Sequence, residues 1–184
     1  MGIVKIHLPV KYFCAVTYTK TISFQDILNS LQVLFPNIDT QSDIYDFDRF
    51  TDYYKTEMGI NLNKCFISNK VLDEISRLPW YKINSNLIEA EFLRNSKRQV
   101  NLDPGYITEA KLVLATTKDY SHRLYLSDGI FGDLHMVYSG KSYKPQPWTY
   151  PDYKHDAAAA YFNELRRIYR EQLQDYNSRK LYMD

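Results

Sequence analysis

The sequence predicts an α+β fold in one domain spanning residues 1–184. Its core is a ferredoxin-like split β-α-β-β-α-β unit, followed by a helix, a β-hairpin and a C-terminal helix. Three observations carry this expectation. Val10–Tyr18 (VKYFCAVTY) is apolar at successive positions, as a strand buried on both faces must be. Two stretches of helical apolar spacing alternate with short strand-like runs. Ser127-Asp128-Gly129 separates two apolar runs with the residues a tight hairpin turn requires.

The elements follow in chain order. After the Val10–Tyr18 strand, Ser23 is placed to cap a helix in which Phe24, Ile27, Leu28, Leu31 and Leu34 share one face, ended by Pro36. Asp43–Phe50 reads as an edge strand because of its acidic positions. Thr51–Met58 forms helical turns stopped by Gly59. Lys64–Ser68 is a third strand. Leu78–Asn95 is a helix with Ile83, Leu87 and Ala90 on its core stripe and Ile88 and Phe92 beside it. Gln99–Leu102 is a fourth strand. Asp103-Pro104-Gly105-Tyr106 matches a type II turn, with glycine at the position that needs positive φ. Thr108 then caps a helix to about Thr116 that buries Ile107, Ala110, Val113 and Leu114. The hairpin pairs His122–Leu126 with Ile130–Tyr138. Pro145, Pro147 and Pro151 hold an aromatic connector extended, and Asp156 opens a last helix carrying Ala158, Tyr161, Phe162, Leu165, Ile168 and Tyr169. The terminal NSRKLYMD is expected to fray.

Composition narrows the function classes. The chain is 45% hydrophobic and 24% charged, with a formal net charge of +1, so no global field draws it to nucleic acid or an anionic membrane. Seventeen tyrosines and nine phenylalanines supply apolar bodies for half-buried faces and grooves. Cys14 and Cys65 stand in apolar runs, far apart and outside any metal-binding spacing, and read as buried thiols. No apolar run reaches bilayer length and the N-terminus lacks a signal-like core, so a cytoplasmic protein without membrane contact is expected.

The densest polar chemistry lies between Arg98 and Leu126. On the expected helix, Lys111 and Lys118 are seven residues apart and project to one side. With Arg123 and His122 they would form a cationic pocket for phosphate or carboxylate. His122 is the natural general acid–base, and Asp103 its orienting or catalytic partner. Asp103 and Asp119 are the candidate ligands of a divalent metal, with Mg²⁺ the ion such a site would take; the sequence specifies no cofactor. Asp52, Tyr53 and Trp148 are further candidate ligand contacts. The plain alternatives are that Asp103 caps its own turn, that Lys118 and Asp119 are a solvated helix end, and that the Trp148 segment only packs. A two-residue hairpin loop would pair His122 with His135. A three-residue loop with a glycine bulge instead pairs Leu126 with Ile130 and Leu124 with Gly132 on one face and Tyr125 with Phe131 and Arg123 with Asp133 on the other, and is preferred because it keeps apolar residues together and matches opposite charges.

Nucleotide-binding glycine loops, zinc-protease motifs and the serine-hydrolase elbow are absent, and Thr117-Lys118-Asp119 lacks both the spacing and the P-loop of a GTPase. Taken together, PVKYFCAV, FTDYYKTEMG, VNLDPGYIT, KLVLATTKDYSHRLYL and PWTYPDY resemble the domain of unknown function 4416 family of small bacterial and archaeal proteins. The resemblance implies a compact prokaryotic domain and brings no activity and no catalytic residue with it.

Two functional classes remain. One is a small enzyme or binding protein for a phosphorylated or nucleotide-like anion. The other is a non-catalytic module: either an RNA binder stacking bases on Tyr12, Tyr18, Phe66, Tyr53 and Tyr54 of an open sheet, or a self-assembling or protein-interaction domain using its tyrosine-rich surface. The near-zero charge counts against nucleic acid.

Overall fold

The computed structural model describes residues 2–181. It contains one antiparallel sheet of nine strands with helices on both faces. The strands are β1 (Lys11–Thr19), β2 (Ile38–Gln41), β3 (Tyr45–Asp46), β4 (Leu62–Asn69), β5 (Val100–Ile107), β6 (Lys111–Thr116), β7 (Arg123–Ser127), β8 (Ile130–Ser139) and β9 (Ser142–Pro145). The helices are α1 (Phe24–Leu31), α2 (Leu78–Glu91) and α3 (Asp156–Leu181). The order across the sheet is β2-β4-β1-β5-β6-β8-β7, with β3 also on β4 and β9 also on β8.

β1 is buried at every position because the two sides of the sheet carry separate cores. On one side Tyr12, Cys14, Val16 and Tyr18 pack with Ile27 and Leu31 of α1 and Leu78, Tyr81 and Ile88 of α2. On the other, Phe13, Ala15 and Phe66 pack under Phe162, Leu165 and Tyr169 of α3. Burying a side chain such as Val16, Phe13, Ile27 or Leu31 contributes about 1.5–3 kcal/mol, so the alternating positions of β1 anchor both layers. Tyr12, Tyr18 and Phe66 are accordingly buried, and the open face required for base stacking is not present at these residues.

The structure corrects the sequence reading at several points. Asp103-Pro104-Gly105-Tyr106 is not a turn but lies inside β5, with Pro104 opposite Cys14 and Gly105 opposite Phe13. Residues 108–116 are not a helix. Thr108 Oγ1 does accept from Ala110 N and Lys111 N, at 3.2 Å each, as a helix cap would. The chain instead turns tightly between Ile107 and Leu112, and 111–116 becomes β6. The run LVLA buries both faces, and such a short run carries no period that separates strand from helix. Lys111 and Lys118 therefore share no helix face.

Three further expectations change. Only Tyr45–Asp46 of the expected 43–50 strand pairs before a 3₁₀ turn at Phe47–Arg49, while β2 and β9 form edges not read from sequence. On α2 the expected stripe is turned outward, with Ile83 and Leu87 exposed. The buried face carries Tyr81, Lys82, Ser85, Ile88 and Glu89. In the hairpin, Arg123↔Asp133, Leu124↔Gly132 and Tyr125↔Phe131 pair as expected, but Ser127↔Ile130 closes a two-residue loop of Asp128 and Gly129, both at positive φ. That loop twists with its strands, and the extra residue is Leu126 instead of the glycine. Helix α3 continues through Leu181; the rest of the expected frayed end lies outside the described residues.

Candidate functional site

The sheet forks between β5 and β6. Their ladder spans only Gly105–Ile107 and Leu112–Leu114, after which β6 stays with β8 while β5 stays with β1. Side chains of α2 serve the edge of β5 that the fork leaves without a strand. Lys82 Nζ donates to the Leu102 carbonyl at 2.8 Å, and Leu102 N–H donates to Glu89 Oε1 at 2.7 Å. By the alternation of the strand, Pro104 turns its missing N–H toward this same open edge, so a proline sits in a central strand without breaking a ladder bond. At the apex Gly105 is required by contact: a Cβ there would lie 2.5 Å from Val113 O and 2.8 Å from Phe13 Cζ.

A cavity of about 330 Å³ opens into the fork. Lys82 and Asn86 line it from the α2 side, while Lys64, Asn101 and Asp103 line it from the α3 side, so it passes between the layers. Five cationic side chains (Lys64, Lys82, Arg98, Lys118, Arg123) and three carboxylates (Asp103, Asp133, Asp152) line it. Tyr53, Tyr54, Tyr120 and Tyr150 supply aromatic walls.

The inner end is one hydrogen-bonded chain. Arg98 pairs with Glu57 at 2.7 Å and Glu89 at 2.9 Å, and its Nη1 also donates to Asn101 Oδ1 at 2.9 Å. Asn101 Nδ2 donates to Asp103 Oδ2 at 2.8 Å, and Lys82 Nζ approaches Asp103 Oδ1 at 3.5 Å. Burial would push the Asp103 carboxyl up, but the Lys82 and Lys64 charges and the Asn101 amide outweigh it and hold Asp103 below the ordinary carboxylate range. Asp103 is thus a fixed anion, with 21% of its side chain still open to the cavity.

The opposite wall is organised by Asp133 on β8. Arg123 donates through Nε to Asp133 Oδ2 at 3.0 Å and through Nη1 to Lys118 O at 3.1 Å. His135 Nδ1 lies 3.3 Å from Asp133 Oδ1, and its Nε2 accepts the Tyr150 N–H at 3.2 Å, which fixes a neutral ring protonated at Nδ1. His135 is the extra residue of a bulge between the pairs Leu112↔Met136 and Val113↔Leu134, which re-aims its ring into this cluster. Lys64, buried under α3, pairs with Asp152 at 2.6 Å above the Phe47 and Tyr153 rings. At the mouth Lys118 Nζ donates to Tyr53 OH at 2.6 Å, and among the described residues Lys118 makes no ion pair.

Of the residues singled out from the sequence, Asp103, Lys118, Arg123 and Tyr53 line this one cavity. His122 stands just behind it. It stacks on Trp148 at 4.6 Å, and its Nε2 is 3.4 Å from Asp133 Oδ2 without hydrogen-bond alignment. Lys111, Asp52, Asp119 and Trp148 are not among the lining residues, and Asp52 instead pairs with Lys55 on the surface at 2.7 Å. His122 and His135 approach different oxygens of Asp133. Among the described residues no group of three or more His, Cys, Asp or Glu is arranged to hold a metal ion.

Lys64, Lys82, Arg98 and Asn101 were missed. Their signal was present: Lys82 falls on the same helical face as Leu78, Ser85 and Glu89, and Asn101 and Asp103 alternate with Val100 and Leu102. Charged groups at such core-facing positions persist only when paired.

The family model described as Domain of unknown function (DUF4416) matches residues 8–169. The chain belongs to this family. The match covers every residue that lines the DUF4416 cavity, together with His122, His135 and most of α3. Comparison with curated proteins and with solved structures gave no match. No helix among the described residues is long and apolar enough to cross a membrane.

Proposed function

We propose that the cavity in the sheet fork binds a small phosphorylated or nucleotide-like anion. One observation carries this reading: Lys64, Lys82, Arg98, Lys118 and Arg123 line one cavity, and while the other four are paired with carboxylates, the outermost, Lys118, makes no ion pair among the described residues. The volume is at the low end of small-molecule sites, which span about 300–1,000 Å³, and so suits one small ligand. Asp103 lies inside the cavity and His122 behind its wall. If the site turns a ligand over, Asp103 is the residue in reach of it, and His122 acts through Asp133.

We further read the chain as a single cytoplasmic prokaryotic domain. The order β2-β4-β1-β5, with α1 and α2 on one face, supports a ferredoxin-like unit to which β6–β9 and α3 are added.

Thermal denaturation with inorganic phosphate, sugar phosphates and nucleotides tests the site. A ligand at 100 times its Kd raises stability by about 2.7 kcal/mol. Wild type is expected to gain stability with a phosphorylated probe, and Lys118→Ala, a change at the exposed mouth, to lose most of that gain. Wild type unmoved by every phosphorylated probe would sink the reading.

A further inference from the structure

We propose that the inner end of the cavity receives the hydroxyl groups of a sugar, so that the ligand is a phosphate ester bearing vicinal hydroxyls, with its phosphate at the Lys118 mouth. This rests on the anion-binding reading above and assigns the two ends of the ligand.

The inner end holds spare acceptors beside spare donors. A carboxylate offers about four lone-pair sites, and Asp103 receives one hydrogen bond from Asn101 and one long one from Lys82, so acceptor positions remain on a side chain that opens to the cavity. Lys82 has three N–H donors, of which one is given to Leu102 O and one to Asp103. The Asn101 amide is oriented by Arg98 on its oxygen and by Asp103 on its nitrogen, which leaves a second N–H. Asn86 adds a further amide. A hydroxyl both donates and accepts, and two on adjacent carbons match a carboxylate flanked by an ammonium and an amide.

The same geometry excludes the phosphate from this end. Asp103 would repel it, and taking up a proton would disturb the partner at the oxygen protonated, Asn101 at one or Lys82 at the other. At the mouth Lys118 and the Tyr53 hydroxyl offer donors with no carboxylate paired to them among the described residues. The Tyr54, Tyr120 and Tyr150 side chains also line the cavity, suited to the C–H faces of a ring.

The test is calorimetric titration of the full chain with inorganic phosphate, 2-deoxyribose 5-phosphate and ribose 5-phosphate. Ribose 5-phosphate is expected to bind about tenfold or more tighter than its deoxy analogue, because a site that hydrogen-bonds a hydroxyl discriminates against its loss. Asp103→Asn is expected to erase that preference while leaving phosphate bound as well or better, and Lys118→Ala to weaken all three. Equal binding of the ribo and deoxy compounds by wild type overturns this inference and leaves the anion site standing. So does Asp103→Asn strengthening all three alike, which would make Asp103 a simple repeller. Nucleoside monophosphates ranked by base, with no ribo preference, would put a base at the inner end and also overturn it. If none of the phosphates binds, the anion site itself fails and this inference with it. The ribo–deoxy comparison needs no variant, so it stands however Asp103→Asn folds.

Discussion

Lys82 on α2 donates to the carbonyl of Leu102 on β5 at 2.8 Å, occupying the place where a neighbouring strand would otherwise bond. This contact joins fold to site. It satisfies the backbone at the fork and carries a positive charge into the cavity beside Asp103. Lys82→Met keeps the apolar stem and removes the ammonium, leaving Leu102 O without that donor. A loss of about 1–3 kcal/mol is expected, the cost of an unsatisfied buried acceptor. Urea denaturation measures it, and a variant as stable as wild type would show that the fork does not depend on this lysine.

Gly105→Ala should destabilise by about 1–3 kcal/mol, the usual range for overpacking. Its Cβ would meet a backbone oxygen at 2.5 Å, where no side chain can yield. In a relaxed strand the same change would stabilise by about 0.4–1 kcal/mol through the unfolded chain, so the sign of the shift in Tm reports directly on the close approach of β5 to β6.

Tyr153→Phe should hold or raise stability, by up to about 1 kcal/mol. The hydroxyl is fully buried and has no hydrogen-bond partner among the described residues, and burial pushes its pKa far above the ordinary tyrosine value. The ring, stacked on Phe162 and edge-on to His135 and Phe66, is retained in the variant. A clear drop in Tm would mean that the hydroxyl has a role its surroundings do not reveal.

Acid should act in two ranges. Burial lowers the His135 pKa below its ordinary 6.5, and Asp133 offsets this only in part. Below pH 6.5 the unfolded chain takes up a proton that the folded ring refuses. The stability contributed by neutral His135 is therefore complete above that pH and is lost as pH falls through the folded value, at no more than about 1.4 kcal/mol per pH unit. Asp103 and Asp133, held below 3.8, lose their contribution only in stronger acid. Glu89, pushed up by burial against the pull of Lys82 and Arg98, works in the opposite sense above 4.5. Comparing wild type with His135→Gln isolates the histidine: the slope beginning below pH 6.5 should flatten in the variant while the lower one persists. Parallel profiles would count against a neutral buried His135.

The sequence by itself determined the elements whose pattern is local. β1, α1, the β7–β8 hairpin with its Arg123–Asp133 pair, and the start of α3 follow from apolar periodicity and from residues such as Asp128-Gly129 that admit positive φ. It also brought Asp103, Lys118, Arg123 and Tyr53 into view as polar groups beside buried runs. Tertiary structure decided the rest. Pro104-Gly105 has turn chemistry, and only the open edge of β5 and the nearness of Val113 O make it a strand. Thr108 bonds the same two amides in a helix cap as in a hairpin turn, so its local preference did not select between them. Asp152, Asp103 and Glu57 lie on other elements and reach Lys64, Lys82 and Arg98 only once the sheet has assembled. A buried charge is stabilised by what surrounds it in space, and adjacency in the chain does not encode that.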